Sequence, residues 1–146
     1  MAPWRLGGIR TIMSKNFAII VGEFHKDEAE EMVAEARATI ESAGHKVVDV
    51  IWVPGSYEVP LALKRQLLRD DVDGAIVLGI IERGETAHGL VMGHTVSDAI
   101  INLQLETMKP VGIGLLGPEI VPSQIPSRVV PYAIAAAKAA LKMAVQ

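Results

Sequence analysis

Residues Gly74-Ala-Ile-Val-Leu-Gly-Ile-Ile81 are apolar without interruption and rich in branched side chains. A strand with one wet face alternates polar and apolar residues; this run has no polar phase, so it predicts a strand covered on both faces. Such strands belong to parallel sheets sandwiched between helical layers. Phe17 to Gly22 follows the same logic, and Lys46 to Val53 and Val111 to Leu116 read as two further strands. Gly112 and Gly114 in the last of these invite a close backbone approach.

Helical spacing fills the intervals. Ala29, Met32, Val33, Ala36 and Ile40 recur at helical period after Asp27 and Glu30, which resemble a capping box, and Gly44 is a natural terminator. Pro54-Gly55 closes the second strand, and Leu61, Leu63, Leu67 and Leu68 form a second helical run with Pro60 in its first turn. Asp70 to Asp73 reads as a solvated turn. A third helix runs from about Gly89 to Thr107, with Met92, Val96, Ala99, Ile100 and Leu103 as its stripe. Leu90, Ile101, Leu105 and Met108 broaden that stripe beyond what one sheet can cover, which predicts a subunit interface. His94 and Asp98 on its polar face read as a surface pair. Pro118, Pro122 and Pro126 predict a loop over 117–127 with at most a brief helix, and Val129 to Val145 a final alanine-rich helix. Strand and helix alternate four times, so the fold class is α/β: one domain over 17–146 with a four-stranded, doubly wound parallel sheet. Residues 1–16 are a tail, with Met13 an alternative start. Trp4, Leu6, Ile9 and Ile12 are more apolar than a free tail needs and predict a strand lying on a neighbouring subunit.

Composition removes several function classes. Fourteen basic and 17 acidic residues give a net charge of −3 without a basic run, which disfavours nucleic acid as a partner. The absence of cysteine excludes disulfides, thiolate catalysis and Cys-type zinc sites, and fits a reducing, cytoplasmic setting. No apolar stretch reaches membrane-spanning length. The chain carries no Walker lysine motif, no Gly-x-Gly-x-x-Gly after the first strand, no nucleophile elbow and no metal-ligand spacing.

Ligands of open α/β sheets bind at the carboxyl ends of the strands, and there the chemistry-bearing residues gather. Phe24 follows the first strand and fits packing or ligand stacking equally well. Ser56, Tyr57 and Glu58 follow the second strand; they suit a polyol, although turn chemistry with a capping carboxylate is the plainer reading. Gly84, Glu85, Thr86 and His88 follow the third, where the N–H groups of a helix start favour an anion and an imidazole can move protons. Arg128 near the start of the last helix opposes the helix dipole, which is explained by a shared anion or, more cheaply, by solvent exposure.

Three segments carry a family resemblance: Val21-Gly-Glu-Phe24, Val53-Pro-Gly-Ser-Tyr-Glu-Val-Pro-Leu61 and Leu78-Gly-Ile-Ile-Glu-Arg-Gly-Glu-Thr-Ala-His88. In this order and spacing the chain resembles the 6,7-dimethyl-8-ribityllumazine synthases, most closely their archaeal branch. The resemblance implies a three-layer, flavodoxin-like fold. It also implies a transferase of riboflavin biosynthesis that needs neither metal nor cofactor and condenses a ribitylaminopyrimidine with 3,4-dihydroxy-2-butanone 4-phosphate. By the same resemblance Phe24 would stack on the pyrimidine, Ser56, Tyr57 and Glu58 would line the ribityl chain, and Ile80 and Ile81 would offer backbone groups. Gly84, Glu85 and Thr86 would hold phosphate, His88 would shuttle protons, and Arg128 and Ile113 would arrive from the next subunit of a homopentamer, decamer or icosahedral shell. The chain departs from the family pattern at His25, Thr95, Ile113 and Ala133 to Ala135. A flavin- or lumazine-binding or shell-forming paralogue, and an archaeal-type riboflavin synthase, are the alternatives.

Overall fold

The computed structural model describes residues 13–145. The expectations for Trp4, Leu6, Ile9 and Ile12 therefore fall outside the described residues. The chain runs β1 (Asn16–Gly22), α1 (Lys26–Ser42), β2 (Lys46–Val53), a 3-10 turn (Ser56–Glu58), α2 (Val59–Leu67), β3 (Gly74–Glu82), α3 (His88–Thr107), β4 (Val111–Ile120), a second 3-10 turn (Pro122–Gln124) and α4 (Pro126–Ala144). All neighbouring strands pair in parallel, in the order β2-β1-β3-β4.

The two uninterrupted apolar strands occupy the centre of this sheet. From Phe17 to Gly22 and from Gly74 to Ile81 every residue is buried, as burial on two faces requires. Phe17, Ile19, Val21, Ile76, Leu78 and Ile80 face α1 and α4. Ala18, Ile20, Ala75, Val77 and Ile81 face α2 and α3. The result is the expected three-layer α/β arrangement, and no helix among the described residues is long and apolar enough to cross a membrane. A Cβ built on Gly112 would run into the Ala136 carbonyl, and one on Gly114 would come within 2.8 Å of Leu78 Cδ2. Helix α4 thus lies directly on the β4 backbone.

Two local expectations are corrected. Helix α1 begins at Lys26, and its N-cap is His25, which is in the left-handed region (φ 53°) and makes no side-chain capping bond. The His25 carbonyl already accepts the Ala29 N–H at 2.9 Å, so Asp27 lies inside the first turn and the Asp27–Glu30 capping box does not form. Strand β4 continues to Ile120, through residues expected to open a loop, because Glu82 pairs with Ile120 and the Arg83 N–H donates to the Ile120 carbonyl at 2.7 Å. The Asp70–Asp73 turn keeps Asp70 and Asp71 exposed, as a solvated turn should, and is also tied down. Arg69 donates to both Asp71 carboxylate oxygens at 3.0 and 2.9 Å and to Asp49 at 3.2 Å, while Asp73 accepts the Asn16 N–H at 2.8 Å.

The sheet order places the site. The chain moves outward from β1 to β2, then returns across β1 to β3 and outward again to β4. The connections leaving β1 and β3 therefore diverge, and a crevice opens beyond their carboxyl ends.

Candidate active site

A cavity of about 500 Å³ occupies that crevice. Phe24 and His25 enter it from the end of β1. Pro54, Gly55, Ser56, Tyr57 and Glu58 enter from the turn after β2. Ile80, Ile81, Glu82 and Gly84 come from β3 and its loop, and His88, Gly89 and Met92 from the first turns of α3. Three connections distant in sequence thus converge on one volume, large enough for a bicyclic ligand or two smaller ones.

Phe24 is 67% exposed, so it does not pack in the core of this chain, and it stands at the cavity wall. Tyr57 is also exposed, whereas Ser56 is buried. A Cβ on Gly55 would sit in ordinary contact with Glu58 Oε1 at 3.4 Å and Phe24 Cε2 at 3.9 Å, so the three residues share one corner of the cavity.

His88 opens α3. Its N–H donates to Thr86 Oγ1 at 3.3 Å, and its ring stands edge-on to Tyr57 with centroids 5.8 Å apart. The N-cap, Ala87, has no side-chain bond to give, and the first turn contains no acidic residue. Apart from the His88 N–H, which Thr86 Oγ1 accepts, no side chain caps the leading N–H groups of this 20-residue helix, and its first residues, His88 and Gly89, line the cavity, an arrangement that favours an anion. Glu85 and Thr86 are exposed in the loop above and do not line the cavity itself.

The two residues expected from a neighbouring subunit also lie away from the cavity of their own chain. Ile113 sits in the middle of β4, paired with Val77 and packed on the α2/α3 side of the sheet. Arg128 lies on α4, on the opposite side of the sheet from α3. Its guanidinium donates to the Gln124 carbonyl at 2.9 Å and to Ser127 Oγ at 3.3 Å, beside a separate hollow of about 250 Å³ lined by Gly117, Glu119 and Tyr132. Conversely, His25, Glu82 and Met92 line the cavity although nothing in the sequence singled them out as site residues. For His25 and Glu82 the available signal was position: each ends or follows a central strand on the ligand-binding edge.

The profile of the 6,7-dimethyl-8-ribityllumazine synthase family matches residues 14–146. The chain belongs to this family. A relative from Metallosphaera sedula, named 6,7-dimethyl-8-ribityllumazine synthase, is 37% identical over 131 residues, covering 90% of this chain and 87% of its own. One of the same name from Picrophilus torridus is 39% identical over 100 residues, 68% of this chain and 74% of its own. A third so named, from Methanoculleus marisnigri, is 34% identical over 131 residues, 90% and 96% of the two chains. For a lumazine synthase family member the matched span contains every cavity-lining residue and Arg128, so the likeness extends over the whole site.

Proposed function

We propose that the chain condenses 5-amino-6-(D-ribitylamino)uracil with 3,4-dihydroxy-2-butanone 4-phosphate to 6,7-dimethyl-8-ribityllumazine, releasing phosphate and water, in the cytoplasm. The observation that carries this reading is the convergence of an exposed aromatic platform, a hydroxyl-bearing corner and an uncapped helix start on one cavity, in a member of that family.

Each substrate has a matching wall. Phe24 offers a face for the pyrimidine, while Ile80 and Ile81 at the end of β3 present backbone groups to its edge. Ser56, Tyr57 and Glu58 supply donors and acceptors for the ribityl hydroxyls. Gly84, Glu85 and Thr86 with the α3 start hold the phosphate. The amine attacks the butanone carbonyl, water leaves to form the imine, phosphate is eliminated, and the second amine closes the ring with loss of another water. Several protons move along this route, and His88 beside the anion site is placed to carry them. Holding two substrates in register supplies much of the acceleration.

Arg128 and Ile113 fit the site only as contributions from a second copy. Their separation from the cavity within one chain supports a homo-oligomer, a pentamer or a multiple of it, with active sites between neighbours. The test of the activity is to mix both substrates with the protein and follow lumazine fluorescence against a protein-free control. Formation at the control rate would refute the reading.

A further inference from the structure

His25 Nε2 lies 2.9 Å from Glu82 Oε1. The two side chains join the carboxyl ends of the two central strands, and both line the cavity. Because a carboxylate only accepts, Nε2 is the imidazole nitrogen placed to carry a hydrogen toward Glu82. Glu82 Oε2 and His25 Nδ1 then have no other side-chain or backbone partner among the described residues. Both groups are partly open, with side-chain exposures of 39% and 31%.

The backbone at His25 adds an independent observation. A non-glycine residue at φ 53°, ψ 59° occupies a sparsely populated region at a cost of about 1 kcal/mol or more. That conformation turns the chain from β1 into α1 while delivering the imidazole to Glu82. Strain of this kind persists where the surrounding structure imposes it, and it concentrates at ligand sites.

We propose that His25 and Glu82 form a substrate-binding dyad, in which Glu82 accepts a hydrogen bond from an N–H or O–H of the ribitylaminopyrimidine and His25 holds that carboxylate in place. The dyad adjoins Phe24 in sequence and Ile81 on β3, the two walls assigned to the heterocycle, whereas the phosphate cradle begins beyond it at Gly84. The pyrimidine is donor-rich in its ring N–H, amino and ribityl hydroxyl groups. The butanone phosphate is anionic and gains nothing from a second carboxylate. Glu82 is therefore a specificity residue for the uncharged substrate, and His25 is a positioning residue that also spreads the carboxylate charge near the anion site.

This inference rests on the proposed function, and the experiment separates the two. Wild-type protein is first assayed for lumazine formation, which decides the functional reading alone. Glu82→Gln keeps the shape but exchanges an acceptor oxygen for a donor. His25→Asn keeps a residue that tolerates the left-handed backbone but removes the imidazole. Each is expected to raise KM for the pyrimidine about tenfold, the loss of one hydrogen bond, with KM for the butanone phosphate changed less than twofold. The double variant should be no worse than the poorer single one, since the two residues act as a unit. Unchanged pyrimidine KM in both single variants, or equal rises for both substrates, would overturn the proposal. Equilibrium titration with 6,7-dimethyl-8-ribityllumazine reads the same contact without turnover: weakened binding in both variants supports the dyad, and wild-type binding refutes it.

Discussion

Phe24 and His88 stand on the same cavity with different proposed roles, and their substitutions should separate accordingly. Phe24 offers a face and no proton. Removing it loses stacking worth about 0.5–1.5 kcal/mol beyond the buried area, so Phe24→Ala is expected to raise KM for the pyrimidine about tenfold while turnover at saturation changes little. His88 offers a proton and little area. His88→Ala should lower turnover about tenfold and leave pyrimidine binding intact. That loss is smaller than the roughly 10²–10⁴-fold of strong general acid–base catalysis, because proximity persists without the imidazole. Steady-state kinetics with each substrate varied in turn checks both; weaker pyrimidine binding with unchanged turnover in His88→Ala would reverse the assignment. At this scale the sequence was informative about placement wherever a residue followed a strand end directly, as at Phe24, Ser56 to Glu58 and His88, which all line the cavity. It was silent on the His25–Glu82 contact, because two residues 57 positions apart meet only once β1 and β3 are neighbours, and it left the exposure of Phe24 open.

Elements were legible in proportion to how strongly their own residues dictate them. Strand β3 is apolar throughout and has no other stable environment. Helix α1 was legible as a helix but not at its start, since the cap there is set by a left-handed histidine instead of an oxygen-bearing side chain. The far end of β4 was hidden for the opposite reason: Gly117-Pro118 punctuates the sequence, yet pairing with β3 carries the strand past it. The glycines of β4 yield a prediction about packing. Gly112→Ala places a methyl group against the Ala136 carbonyl, a rigid backbone atom in α4. Overpacking of this kind costs about 1–3 kcal/mol, and urea denaturation should show a lower midpoint with kinetics preserved until the protein unfolds. The turn before β3 gives a pH prediction. The hydrogen bonds from Arg69 hold the Asp71 carboxyl below its ordinary value of 3.8. A depressed carboxylate stabilises the fold above its unfolded value, and the contribution disappears as pH falls through its folded one. Asp71→Asn should therefore lower the melting temperature slightly at pH 7, by an amount that shrinks as the pH is lowered below the ordinary carboxylate range; a loss independent of pH would point to packing instead.

At the scale of the whole molecule, the proposed assembly bears on surface that a single chain leaves exposed. On α3, Val91, Ile101, Leu105 and Met108 are 56%, 46%, 68% and 84% exposed, a concentration of apolar surface that one sheet cannot cover. Covering it contributes about 25 cal/mol per Å². The Arg128 guanidinium rests beside its own hollow while the anion-favouring start of α3 has no cationic side chain within the cavity. One arrangement resolves both: neighbouring copies bury their α3 helices around an axis, and each brings its Arg128 to the next copy's cavity. Light scattering at micromolar concentration should then give a pentamer or a multiple of one. Arg128→Ala should raise KM for the butanone phosphate about 10–100-fold, the value of a charge-assisted hydrogen bond, with the pyrimidine KM almost unchanged. The decisive measurement combines two defective chains. In assemblies co-expressed from Arg128→Ala and Phe24→Ala chains, about a quarter of the sites between neighbours would pair an intact Arg128 with an intact Phe24. Activity at low concentrations of both substrates should then exceed the mean of the two parents. Activity equal to that mean would show that each chain completes its own site, and a fully active monomer would remove the interface as well.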